Sequence, residues 1–278
     1  MAPEVKIFDI VICGAGPAGS TCALALAGSG LRTALIEKHV YPRDKVCGDA
    51  IAAYVPNVLR SINAGFSSGL EMFSERQTVD TCRIVGPNGK HEDITFSRSG
   101  FIARRMHWDN FLFQRVCQQP DIEIFQGHAV TDIERLQDGT FVIASGSLKL
   151  KAPLLIGCDG ANSIVRKQFT TTRLVHEHHA GAVRAYYRNV KGMSPQTFEL
   201  HFIKGLLPGY FWIFPLPGNK ANVGLGLLSA KISRKKISLR ETMEEIIRAH
   251  PAIAHRFSEA EIEGKIEGFG LPLGSRKV

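Results

Sequence analysis

No stretch of this 278-residue sequence approaches the ~20 uninterrupted apolar residues of a membrane-spanning helix, so a helical membrane protein is excluded by that route. The six cysteines (Cys13, Cys22, Cys47, Cys82, Cys117, Cys158) include no C-x-x-C pair. Four of them lie in apolar or helical surroundings, where cysteine acts as a small hydrophobe, and a reducing, cytoplasmic setting is expected. His176, His178 and His179 have no carboxylate or thiol partners at ligand spacing, so no metal site is expected. No internal repeat, low-complexity segment or nucleic-acid-binding motif is present, and nucleic acid is not an expected partner. Lys6, the apolar run after it and Ala23, Ala25 and Ala27 imitate a secretory signal, but Asp9 interrupts the run.

What is present is an ordinary globular composition: 44% hydrophobic and 22% charged residues, with a formal net charge of +8. The length suits two domains or one elaborated domain. The positive surplus suits contact with an anionic lipid surface at the membrane periphery, a diphosphate headgroup or a phosphorylated nicotinamide cofactor. Lys231, Arg234, Lys235, Lys236 and Arg240 concentrate part of it ahead of a helix, where solvated surface is the default reading.

The pattern predicts a buried strand over Lys6 to Cys13, a helix over Pro17 to Ser29 and a second buried strand over Arg32 to Glu37. Ala50 to Asn63 and Met106 to Gln118 read as helices. Ile122 to Phe125 and Val130 to Ala144 read as extended, the latter broken by a Gln137-Asp138-Gly139 turn, and Pro153 to Cys158 as a short strand. From Gly181 to Leu228 alternating, aromatic-rich segments with Pro-Gly turns predict an antiparallel sheet, with a Cys82 to Phe96 hairpin as a candidate to join it, and Leu239 to Ala249 reads as a helix.

Gly14-x-Gly16-x-x-Gly19 follows a strand and opens a helix, the setting a dinucleotide-binding loop needs. Gly14 permits a tight turn, Gly16 lets backbone N–H groups approach a pyrophosphate, and Gly19 lets the helix lie close on the sheet. Pro17 and Ala18 begin that helix, whose N-terminus favours phosphate. Glu37, about twenty residues on, can accept hydrogen bonds from an adenosine ribose. This unit by itself fits FAD and NAD alike. A second segment, Gly157-Cys158-Asp159-Gly160-Ala161-Asn162-Ser163-x-x-Arg166, puts Asp159 at the end of a strand. There it either contacts a cofactor or caps the following helix.

With that segment the sequence resembles the flavin-dependent reductase and hydroxylase superfamily, in which such an Asp-Gly turn contacts FAD. Within it the sequence is similar to the geranylgeranyl reductase family on three further stretches: Pro42-Arg43-Asp44-Lys45-Val46-Cys47-Gly48-Asp49; Arg105-x-x-Trp108-Asp109-x-x-Leu112; and Tyr210-x-Trp212-x-Phe214-Pro215 followed by Asn222-Val223-Gly224-Leu225-Gly226. The resemblance implies an α/β fold with a Rossmann-like FAD-binding domain, a parallel sheet with helices, over residues 1–80 and 99–168. A second domain on an antiparallel sheet is implied over residues 81–98 and 169–268. It also implies FAD contacts from Gly14, Gly16, Pro17, Ala18, Gly19, Glu37, Lys38, Arg43, Cys47, Gly48, Arg105, Asp159 and Gly160, with NAD(P)H as a candidate electron donor. Cys47 would lie beside the flavin as a catalytic thiol, whereas the residues alone favour a buried structural cysteine. Tyr210, Trp212 and Phe214 share one sheet face by alternation. That face suits an isoprenoid substrate and equally a domain core.

The implied activity is FAD-dependent reduction of C=C bonds in an isoprenoid chain. Rival readings are a flavin monooxygenase or halogenase on the same scaffold, or a non-catalytic FAD-binding fragment. The family carries a third flavin contact, a Gly-Asp-Ala segment, beyond the Tyr-x-Trp-x-Phe-Pro strand. Here Gly48-Asp49-Ala50 has those letters too early, and the sequence ends at Gly270-Leu271-Pro272-Leu273-Gly274-Ser275-Arg276-Lys277-Val278, so a truncated chain or gene fragment is expected.

Overall fold

A computed structural model describes residues 5–172 and 175–275; Arg276 to Val278, quoted for the end of the sequence, lie outside the described residues. The chain forms two compact units, one of residues 1–44, 57–72 and 106–173, the other of residues 45–56, 73–105 and 174–278.

The first unit is built on a parallel sheet in the order Leu154–Gly157, Ile10–Cys13, Thr33–Glu37, Ile122–Gln126. Every residue of Ile10–Cys13 and Thr33–Glu37 is buried, because a parallel strand is covered on both faces and so carries a continuous apolar run. Ile10, Ile12 and Leu35 pack on one side with Leu24 of helix Pro17–Leu26 and Phe113 of helix Arg105–Val116. Val11, Cys13, Ala34 and Ile36 pack on the other with Ile133, Ile143 and Leu150 of a second sheet. That sheet runs Val5–Ile7, Leu148–Ala152, Phe141–Ser145, Asp132–Arg135.

The expected single strand over Lys6 to Cys13 is therefore two strands in two sheets. The break falls at Phe8 and Asp9: Phe8 N–H donates to Lys151 O, while Asp9 N–H donates to Arg32 O and its carboxylate accepts from Arg32 N–H at 2.7 Å. The acid that interrupts the apolar run is the point where the chain changes sheets. The following helix ends at Leu26, three residues before its predicted end.

The second unit holds an eight-stranded sheet in the order Glu261–Pro272, His179–Arg188, Lys220–Leu228, Gly209–Leu216, Thr197–His201, Gln77–Val85, His91–Ile102, Ala50–Ile51. All neighbours are antiparallel except Thr197–His201 and Gln77–Val85, which run parallel. The predicted hairpin thus joins this sheet. Side chains alternate between its faces: Phe211, Ile213, Val223 and Leu225 meet Met243 and Ile246 of helix Leu239–Ala249, whereas Trp212, Phe214, Ala182 and Tyr186 form a separate cluster on the other face.

Two local expectations change. Ala50 to Asn63 begins as the strand Ala50–Ile51, paired with Phe101 and Ile102, and becomes helical only over Val55–Ile62. The basic run is a helix of its own, Ser229–Lys235, stopped by Lys236 in the left-handed conformation (φ +51°). Ser238 then caps Leu239–Ala249, which has its predicted bounds. No helix among the described residues is long and apolar enough to cross a membrane.

Candidate functional site

In the first unit the glycine turn is set by close backbone approach. Gly14 adopts φ +95°, and a Cβ there would lie 2.5 Å from the carbonyl oxygen of Cys158. A Cβ on Gly19 would lie 1.7 Å from the Gly14 carbonyl oxygen. Only hydrogen fits at either place, so the helix start, the turn and the Cys158-Asp159 segment are packed backbone to backbone. Gly16 is the extended N-cap residue, Pro17 is the first helical residue, and no side chain caps the helix. Its first amides, those of Ala18 and Gly19, have no acceptor within the helix, which leaves donors and partial positive charge for an anion.

Glu37, 6% exposed, closes the neighbouring strand. Its Oε2 accepts from Ala15 N–H at 2.8 Å and its Oε1 from His39 N–H at 2.9 Å. The carboxylate therefore shapes the loop, and each oxygen keeps a second lone pair for a ribose hydroxyl. Lys38, next along, is exposed.

Arg43 reaches the same turn: its Nη2 lies 3.7 Å from the position of a Cβ on Gly16. It is held by Asp109, whose Oδ2 accepts from Nη1 at 2.6 Å, and by Tyr41, whose hydroxyl accepts from Nη2 at 2.8 Å. The Tyr41 hydroxyl donates in turn to Ala15 O at 2.6 Å, and its ring stacks on Phe113 at 4.2 Å. The line Asp109, Arg43, Tyr41, Ala15 ties a guanidinium to the loop backbone. The part played by Tyr41 had no sequence signal. Asp109 had one: it shares the helix face of Phe113, four residues on, so an acid stands at a core position and needs a partner.

Asp159 takes the capping geometry. Its Oδ2 accepts from Ile164 N–H at 2.7 Å and Val165 N–H at 3.4 Å, at the start of helix Ile164–Phe169. Its Oδ1 is buried and has no hydrogen-bond partner among the described residues. Gly160 follows at φ +80°, exposed. Glycines without room for side chains, uncapped amides, a guanidinium beside Gly16 and an unsatisfied carboxylate oxygen together fit a dinucleotide such as FAD.

In the second unit the Cys47-Gly48-Asp49 turn is fastened to the sheet. Asn222 donates through Nδ2 to Cys47 O at 2.7 Å and to Asp49 Oδ2 at 2.8 Å, while its Oδ1 accepts from Trp212 Nε1 at 2.9 Å. Tyr186 also donates to Asp49 Oδ2, at 2.8 Å, and the Arg104 and Arg184 guanidinium groups lie 4.1 and 4.2 Å from its ring centre. Asp49 is fully buried at φ +67°, a conformation a non-glycine residue keeps only when its surroundings hold it. Gly48 packs toward Phe214 and Trp212.

Tyr210, Trp212 and Phe214 do share a face, with ring centres 6.0 and 6.1 Å apart. Trp212 and Phe214 are buried in the core cluster, however, and only Tyr210, 40% exposed, is open to solvent. Cys47 is half buried, as is Arg105, which begins helix Arg105–Val116. His178 and His179 hydrogen-bond through Nδ1 with Ser275 and Ser229. Lys231, Arg234 and Lys235 line a 430 Å³ cleft with Leu207, Pro208, Leu228 and one acid, Glu177.

A parallel sheet with a nucleotide-type turn at its strand ends, followed by a large mostly antiparallel sheet, defines a dinucleotide-binding flavoprotein fold. The FAD binding domain model matches residues 8–265, and the chain belongs to that family. It is 28% identical over 269 residues to a digeranylgeranylglycerophospholipid reductase of Methanococcus vannielii, covering 94% of this chain and 64% of that protein. It is 27% identical over 246 residues to a menaquinone reductase of Mycolicibacterium smegmatis, covering 84% of this chain and 58% of that protein. The chain thus spans about three fifths of the length of these relatives. A flavin-dependent brominase superimposes with a TM-score of 0.80 at 18% identity, over 95% of this chain and 67% of its own.

Proposed function

We propose that this chain holds FAD and acts as an FAD-dependent oxidoreductase that saturates C=C bonds of a geranylgeranyl-type isoprenoid. The observation that carries the reading is the packing of the Cys158-Asp159 segment against Gly14, which joins the two cofactor motifs at one place. The substrate class is supported by the digeranylgeranyl lipid named for the M. vannielii relative.

In this reading the amides of Ala18 and Gly19 and the Arg43 guanidinium face the pyrophosphate, Glu37 takes the ribose, and Asp159 Oδ1 with the Gly160 turn contributes a further polar contact. Lys38 adds a further contact in the first unit, and in the second unit Cys47 is the thiol suited to protonating a substrate carbon. Bound FAD supplies two-electron transfer, with NAD(P)H as donor. Tyr210 is the aromatic group open to an isoprenoid chain. The cationic cleft with its apolar rim suits an anionic headgroup at a membrane surface.

The test is turnover by the purified chain, reconstituted with FAD and supplied with NADPH, or with dithionite in the anaerobic arm, on a digeranylgeranyl lipid and on menaquinone, run in parallel without oxygen and in air with halide present. Saturated isoprenoid product supports the reading. Substrate-dependent oxygen consumption with hydroxylated or halogenated product overturns it, and failure to retain any flavin refutes the cofactor assignment.

A further inference from the structure

The basic cleft of the second unit lies where helix Ser229–Lys235 meets the turn that precedes strand Gly209–Leu216. Lys231 closes one side. Its Nζ donates to Gly205 O at 2.6 Å and also to Leu207 O, which uses two of the three ammonium donors and leaves the charge facing neutral carbonyls. Arg234 and Lys235 come from the last turn of the same helix and Lys236 follows; all three are exposed, and none has an ion-pair partner among the described residues. Lys204, in the facing turn, is exposed as well. Glu177 is the single acid in the lining. Elsewhere in this unit surface cations are paired: Arg83 with Asp93, Arg188 with Glu263 and Lys191 with Glu259. The rim of the cleft is apolar, with Leu207, 46% exposed, beside Pro208 and Leu228.

We propose that this face docks on an anionic phospholipid bilayer, the cleft taking a lipid phosphate among Lys231, Arg234 and Lys235 while Leu207 enters the interface. The choice of partner rests on the lipid-substrate reading, since such a substrate is held in a membrane. Two features of the cleft favour a bilayer over a soluble anion. Cations that lack acid partners gain from a surface that presents many phosphates at once, each contributing about a fivefold gain in partition. An exposed leucine at the rim gains nothing from a dissolved phosphate, whereas the boundary between headgroups and acyl chains buries it.

The test is sedimentation of the full chain with vesicles of phosphatidylglycerol and phosphatidylcholine in equal parts, beside vesicles of phosphatidylcholine alone. Binding is expected only to the first. It should fall steeply as the ionic strength rises from ~0.1 to ~1 M and the Debye length shrinks from ~10 to ~3 Å. Arg234→Ala combined with Lys235→Ala should weaken binding about 25-fold, at about fivefold for each charge lost. Lys90→Ala combined with Arg98→Ala removes two exposed charges from the hairpin whose second strand lies four strands from Lys220–Leu228, and should change binding less than about twofold. Leu207→Ser should weaken binding severalfold and leave the salt dependence as it is. Circular dichroism and melting temperature check that each variant is folded, and the four charged side chains replaced are all exposed.

Equal loss in the two double variants, equal binding to both kinds of vesicle, or no binding to either overturns the proposal. So does thermal stabilisation by inorganic diphosphate without vesicle binding, which assigns the cleft to a soluble ligand. Neither flavin nor turnover enters the measurement. Lost docking with isoprenoid reduction intact sinks this proposal alone, and lost reduction with docking intact sinks the substrate reading alone.

Discussion

Replacing Asp109 with Asn keeps its size and one acceptor oxygen but removes the charge that faces Arg43. Asp109 is fully buried, and the Arg43 side chain is only 12% exposed at a contact of 2.6 Å. The pair is therefore not one of the surface ion pairs worth about 0–1 kcal/mol. The Asn oxygen would still accept from a charged guanidinium, so what Asp109→Asn removes is the attraction between two opposite charges, and it should cost about 1–2 kcal/mol out of a contact worth about 1.5–3 kcal/mol. Asp109→Ala leaves a guanidinium without its counter-charge and should cost about 3–5 kcal/mol. Arg43 would then rest on the Tyr41 hydroxyl alone, which is itself the tether of Ala15, so the loosening reaches the Gly14–Gly19 turn. A loss of ~1.4 kcal/mol in FAD binding is a tenfold rise in Kd, the expected order for Asp109→Asn. Urea unfolding and flavin-fluorescence titration of Asp109→Asn, Arg43→Gln and the double variant provide the cycle. Coupling below about 0.5 kcal/mol in both measurements would refute the argument.

In the second unit Glu199, 3% exposed, accepts both terminal nitrogens of Arg256 at 2.6 and 2.9 Å and bonds with His201 at 2.9 Å. Burial pushes its carboxyl up, but the His201 and Arg256 hydrogen bonds and the Arg256 charge outweigh burial and hold it at about 2 instead of 4.5. At ~1.36 kcal/mol per pH unit this drop is worth about 3 kcal/mol, present in full above pH 4.5 and lost as the pH falls towards 2. Thermal melts from pH 6 to 3 should show the loss, and Glu199→Gln should flatten that profile. Gly19→Ala places a methyl carbon 1.7 Å from the Gly14 carbonyl oxygen, so it should abolish flavin retention while far-ultraviolet circular dichroism stays close to wild type; retained flavin absorbance would contradict the packing. Asn222→Ala strands the Trp212 N–H and removes one donor from Asp49 and one from Cys47 O, at about 1–3 kcal/mol for each buried group left unpaired. The rate of Cys47 alkylation by iodoacetamide should rise several-fold, and an unchanged rate would mean that Asn222 does not hold the turn.

The sequence carries the parts of this fold that depend on local pattern. Continuous apolar runs mark Ile10–Cys13 and Thr33–Glu37, glycine spacing marks the turn between strand and helix, and alternation marks the aromatic strand Gly209–Leu216. It does not carry what tertiary pairing decides. Leu148–Ala152 and Glu261–Pro272 were not anticipated as strands because charged residues dilute their pattern, and they are strands because neighbours supply their hydrogen bonds. Ala50 and Ile51 read as helical by composition, yet pairing with Phe101 and Ile102 makes them extended. The buried site partners are illegible for the same reason. Tyr41 reaches Ala15 across 26 positions, and Asn222 reaches Asp49 across 173, so no local spacing links them.

The stretch Pro42 to Asp49, continuous in sequence, is divided by packing. Arg43 belongs to the first unit and answers to Asp109 and Tyr41, whereas Cys47, Gly48 and Asp49 belong to the second and answer to Asn222, Tyr186 and Phe214. A motif of adjacent letters is therefore two constraints, each enforced by a different core. Arg43 is fixed by an ion pair and a hydroxyl whose other bond holds the glycine loop. Asp49 is fixed by a left-handed backbone and neutral donors from the sheet. Between them the chain passes from one unit to the other at Asp44 and Lys45. The chemistry of the stretch thus rests on the buried partners at its two ends, which the sequence supplies from positions far from the motif.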